Sequence, residues 1–147
     1  MGMLDSNLIF AEGQAVTAEG DTASTNVYDS GGANGQGDAG QTGEHLWVNI
    51  VCTETATSGG NATIAGVLQS SPDSATWTDA VAGPPIPVAD VVAGEVLLQV
   101  QPPPGMQRYW RTVTRVGTAV LTAGEFDSWI SETIQRNISR ASGFSVQ

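Results

Sequence analysis

Lysine is missing altogether from this 147-residue chain, and its five basic residues are all arginine: Arg108, Arg111, Arg115, Arg136 and Arg140. Against them stand 15 acidic residues, giving a formal net charge of −10. Holding a nucleic-acid backbone requires clustered cations, so nucleic acid is not an expected partner. Charge of either sign is scarce, at 14% of residues against about 25% in ordinary soluble domains. The single cysteine, Cys52, leaves no intrachain disulfide and no cysteine-rich metal site. The single histidine, His45, excludes a multi-histidine site. Apolar runs are too short to cross a membrane as a helix. The start of the chain lacks the basic residues and long apolar run of a signal peptide, so none is expected.

What is present is turn-rich and β-rich. Glycine occurs 18 times and proline 7 times, which disfavours long helices and supplies many corners. Hydrophobic residues make up 40% of the chain, enough to build one core. Residues 45–54 alternate so that Leu46, Val48, Ile50 and Cys52 share one face. Residues 62–69 put Ile64 and Leu68 on one face and Thr63, Val67 and Gln69 on the other. Residues 95–101 and 106–116 read as two more strands, 118–123 and 125–130 as two short ones, and 22–28 as a weak one. Ser58-Gly59-Gly60-Asn61 lies between strong strands at hairpin spacing. Gly83-Pro84-Pro85 and Pro102-Pro103-Pro104-Gly105 are rigid corners. The expectation is an all-β, single-domain antiparallel sandwich or barrel over 1–130, with a flexible N-terminal segment. Residues 30–43 hold six glycines and read as a mobile loop. Residues 131–147 form an extension in which Ile134 and Ile138 continue the i+4 spacing of Ile130, as in a short amphipathic helix, although the pattern also permits a longer strand.

Residues able to do chemistry are few. Cys52 lies mid-strand on an apolar face and reads as a buried thiol. His45 has no second ligand at a useful spacing. Asp29-Ser30-Gly31-Gly32-Ala33-Asn34 with Asp38 lacks the ligand series and closing glutamate of a calcium loop. Counting alone leaves a Ser–His–Asp arrangement open, but no nucleophile elbow occurs. The chain is therefore not expected to be an enzyme or to hold a metal or other cofactor.

Several blocks resemble a known family. They are Met3-Leu4-Asp5-Ser6-Asn7-Leu8-Ile9-Phe10, Gln14-Ala15-Val16-Thr17, Ser24-Thr25-Asn26-Val27, and Leu68-Gln69-Ser70-Ser71-Pro72-Asp73-Ser74-Ala75-Thr76-Trp77-Thr78-Asp79. Pro104-Gly105, Arg108-Tyr109-Trp110-Arg111 and Gly117-Thr118-Ala119-Val120-Leu121-Thr122-Ala123-Gly124 continue them. In order and spacing these blocks resemble the capsid cement (decoration) proteins of tailed bacteriophages, of the Bordetella-phage type. Residues 131–147 extend past that pattern, and the glycine-rich loop is longer. The resemblance implies a jelly-roll sandwich on the outer surface of an icosahedral shell, bridging neighbouring major capsid subunits without catalysis. Self-association is expected as well, as a dimer rather than a trimer. A carbohydrate-binding jelly roll and a tail or neck component are the alternatives.

Candidate partner-contact residues are Arg108, Arg111, Arg115, Trp129, Ile134 and Ile138. Arg111 and Arg115 share a strand face, with Arg108 on the other. They are expected either to pair across strands with Glu95, Glu125 or Asp127 or to meet an acidic patch on a shell or sister subunit. Trp47 and Trp110, mid-strand, are expected in the core or an interface, and Trp77 anchors the turn before it. Trp129 is the tryptophan best placed to pack on a partner.

Overall fold

A computed structural model of the chain describes residues 6–31 and 45–132. Its strands are β1 (Ile9–Ala15), β2 (Gly20–Ala23), β3 (Tyr28–Asp29), β4 (Trp47–Thr57), β5 (Thr63–Ser71), β6 (Thr78–Ala82), β7 (Ile86–Pro87), β8 (Val96–Val100), β9 (Tyr109–Gly117) and β10 (Ala123–Ser131). They form two antiparallel sheets. One has the order β1-β10-β4-β8. The other has the order β2-β9-β5-β6, with β3 also pairing β9 and β7 also pairing β5. The pairing is nested in chain order: β1 with β10, β2 and β3 with β9, β4 with β8, β5 with β6 and β7.

Alternation explains the faces. Val48, Ile50 and Cys52 from β4 meet Ile64 and Leu68 from β5, Trp110 and Val116 from β9, and Phe126 and Ile130 from β10 in the core between the sheets. Trp110 has no exposed surface, and its Nε1–H donates to the Gln107 carbonyl at 2.7 Å. Tyr28 meets its ring edge-on, with centroids 5.5 Å apart. Thr112 and Ser128 join their hydroxyls across the same space at 2.7 Å. Gly66 lets the sheets approach: a Cβ there would lie 3.0 Å from Leu98 Cβ and 3.1 Å from Ile50 Cδ1.

Four expectations change. Ser58–Asn61 is not a hairpin turn, because β4 and β5 lie in different sheets. A short turn can close a hairpin or cross a sandwich, and here it is tied to the loop before β10, with Ser58 Oγ donating to the Val120 carbonyl at 2.7 Å. Residues 118–122 are that loop rather than a strand, and β10 is one strand from Ala123. The N-terminal segment is not loose from Ile9 onward: β1 pairs β10 and Phe10 is buried in the core. A bulge hides β1 from a period-2 reading, since Gly13 takes φ +56° and its N–H donates to Asp127 Oδ1 at 2.6 Å. The weak strand at 22–28 is two short ones, β2 and β3, on the same edge of β9. The expected glycine-rich loop and C-terminal extension, with Ile134 and Ile138, lie almost wholly outside the described residues.

Candidate interaction site

The outward face of the six-stranded sheet is set by register. Gln69 on β5 stands opposite Arg111 on β9 and opposite Asp79 on β6, and Arg115 on β9 stands opposite Asp21 on β2. Odd-numbered residues of β5 and β9 point away from the core, so these side chains form one layer.

Arg115 forks onto Asp21, with Nε to Oδ1 at 2.6 Å and NH2 to Oδ2 at 2.9 Å. Its NH1 also reaches Asp79 Oδ2 at 3.0 Å, which carries the guanidinium across β5. Asp79 Oδ1 accepts from Gln69 Nε2 at 2.7 Å, and Gln69 Oε1 accepts from Arg111 Nε at 2.8 Å. The Arg111 guanidinium lies over the Trp77 ring, 4.3 Å from its centroid. The result is one hydrogen-bonded chain from Asp21 through Arg115, Asp79 and Gln69 to Arg111, ending on an aromatic face. Beside it, Arg108 holds Asp29 through two bonds, Nε–Oδ1 at 2.7 Å and NH2–Oδ2 at 2.9 Å, and covers the Tyr109 ring.

Ionisation follows from these partners. Hydrogen bonds from Arg115 hold Asp21 and Asp79 below the usual aspartate value. Those from Arg108 and from the Gly31 N–H bring Asp29 down to about 2. Arg108 and Arg115 are raised by the same contacts. Arg111 goes the other way: burial lowers it, opposed only by the charge of Asp21. Among the described residues, Arg111 is the arginine with no carboxylate partner.

Cross-strand ion pairs form, but with Asp21, Asp29 and Asp79 in place of Glu95, Glu125 or Asp127. Glu125 and Asp127 sit on β10, and Glu95 immediately before β8, in the opposite sheet from β9. Trp129, paired in register with Ile9 of β1 and Asn49 of β4, is 2% exposed, so its ring is buried within the chain rather than offered to a partner. Its Nε1–H has no acceptor among the described residues. Trp77 does not hold its own turn. Asp73 does, accepting from the Ala75 N–H at 2.9 Å and the Thr76 N–H at 2.8 Å. Gln69 and Trp77 are the contacts of Arg111 that strand-by-strand reading missed. Reflection about Ser74, the middle of the connection from Ser71 to Trp77, is the signal for Gln69, since it sets residue 69 opposite residue 79.

Other chemistry is sparse. Cys52 is buried, its thiol pushed up to about 11 by burial, and its Sγ donates to the Glu54 carbonyl at 3.0 Å. Among the described residues no cluster of three or more His, Cys, Asp and Glu side chains is placed to hold a metal ion.

Comparison with known proteins adds the decisive observation: the Bbp16 family model matches residues 10–130, from the first core residue of β1 to the last of β10. The chain belongs to the Bbp16 family. This is a Bordetella phage protein family, and the all-β fold fits a structural protein of a phage. No curated protein matches the chain. Within this Bbp16-family sandwich the charges are segregated. The strands of the four-stranded sheet carry Glu12, Glu54, Glu125 and Asp127 and no basic residue, while every arginine of the described residues lies on or beside β9 of the other sheet.

Proposed function

We propose that the chain is a capsid cement protein: a jelly-roll plug that sits on the outer surface of an assembled phage shell, binds the major capsid protein and bridges neighbouring subunits. Membership in a Bordetella phage family over the whole sandwich carries this reading. The nested strand pairing supports the jelly-roll description, because rolling up one long antiparallel ribbon produces that order.

The mechanism is binding without turnover. A footprint spanning two capsid subunits exists only on the finished shell, and the second contact is then nearly intramolecular. A ligand that binds only the assembled state stabilises it by mass action. A close-packed sandwich transmits load across the joint with little give. Self-association of the chain matches its copies to symmetric lattice positions. The carbohydrate-binding alternative loses support, since Trp110 and Trp129 are buried and Trp77 is covered on one face by Arg111.

The test uses particles of the encoding phage stripped of the protein. Adding back the full chain should decorate the shell evenly in averaged electron micrographs and raise the temperature at which DNA is released. Density at a single vertex would assign it to the tail or neck, and no rebinding with an unchanged release temperature would overturn the reading.

A further inference from the structure

We propose that the Trp77–Arg111 pair on the outward face of the six-stranded sheet is a receptor for a carboxylate side chain from an acidic loop of the capsid protein. The identity of that partner rests on the cement reading; the chemistry rests on the site itself.

Three observations converge. First, Arg108 and Arg115 are already committed to Asp29, Asp21 and Asp79, whereas Arg111 uses only its Nε–H, on Gln69. Its two terminal nitrogens, the edge that grips a carboxylate with two parallel bonds, have no acceptor among the described residues. Second, the guanidinium is held before any partner arrives. Trp77 supports its face at 4.3 Å, and the Gln69–Asp79–Arg115–Asp21 chain fixes its Nε. A side chain already ordered loses less freedom on binding. Third, the surroundings select the ligand. One uncommitted cation among paired aspartates cannot follow a phosphate backbone, which needs a run of them. It does match a single planar carboxylate, whose methylenes can rest on the half-buried Trp77 ring.

The experiment measures rebinding of the full chain to stripped shells by pelleting over a series of salt concentrations. It compares wild type with Arg111→Gln, Arg111→Lys and Arg108→Gln, with a thermal melt for each. Arg111→Gln is expected to bind roughly tenfold or more weakly, the scale of one charge-assisted hydrogen-bonded contact, with a shallower salt dependence. Arg111→Lys keeps the charge without the fork and falls between; it also carries the test if the glutamine variant melts early. Arg108→Gln binds like wild type, because its charge is spent on Asp29. Wild-type affinity in both Arg111 variants would overturn the receptor and leave the cement reading intact. Equal losses in Arg111→Gln and Arg108→Gln would also overturn it, in favour of general charge steering. Failure of wild type to bind any shell would remove both readings.

Discussion

The closest approach between the two sheets offers a sharp test of the architecture. Gly66 sits mid-β5 with its missing side chain aimed at the opposite sheet, where an alanine methyl would meet Leu98 Cβ at 3.0 Å, Ile50 Cδ1 at 3.1 Å and Leu97 Cβ at 3.2 Å. Ordinary carbon contacts are about 3.5–4.0 Å, so three neighbours must each yield by several tenths of an ångström. Two of the three atoms are Cβ atoms, fixed to the backbone, and rotamer changes cannot move them. Overpacking of this kind costs about 1–3 kcal/mol. For a domain of this size, about 2–4 °C of Tm is lost per kcal/mol, so Gly66→Ala should melt roughly 2–12 °C lower. Gly59→Ala is the control, since nothing lies within 4 Å of its added Cβ and a loop alanine costs little. Adding Ile50→Val to Gly66→Ala should be less destabilising than the sum of the two single changes, because valine lacks the Cδ1 atom that the methyl meets at 3.1 Å. Equal melting of Gly66→Ala and Gly59→Ala, or strict additivity in the double variant, would refute the stacking of β5 on β4 and β8.

Acid should loosen the outward ion pairs. Asp21, Asp29 and Asp79 titrate below their ordinary value of 3.8 when folded, so their stabilisation is complete above about pH 4 and is lost as pH falls through the folded values, near 2 for Asp29. Melting temperature should therefore drop below about pH 4, and less steeply in Arg108→Gln; identical profiles would contradict the Asp29 pairing. Cys52, raised to about 11 by burial, should resist a disulfide reagent at pH 8 in the native protein and react fully in denaturant; rapid native labelling would contradict its burial. Thr112→Val leaves the Ser128 hydroxyl buried without its partner and should cost about 1–3 kcal/mol, whereas Thr112→Val with Ser128→Ala should cost less than the two single changes summed. Chemical denaturation of the four proteins reads this directly, and additive losses would argue against the hydroxyl pair.

Much of the core is legible in the amino-acid order. The alternation through Val48, Ile50 and Cys52, and through Ile64 and Leu68, named the residues that line the core. The arginines at 111 and 115 were visible as a same-face pair on one strand. Their partners were not, because Asp21 is 94 residues from Arg115 and Asp79 is 36 residues away. Trp129 illustrates the opposite error: its place near the end of the sandwich invites a partner-facing reading, yet the ring is buried within the chain. Gly13 hid β1 because one left-handed residue breaks the period on which strand recognition depends.

The amino-acid order alone determined the local properties of this Bbp16-family chain: which segments extend, which residues share a face, where proline and glycine turn the chain, and which chemistries lack the residues they require. Each follows from backbone geometry within a few residues. The tertiary structure alone decided that β4 and β5 part into different sheets, and that Arg108 and Arg115 find carboxylates while Arg111 keeps an open edge over Trp77. Strand pairing is a choice among distant partners. It is settled by burial summed over the whole nested sandwich, and no local window of sequence contains that sum.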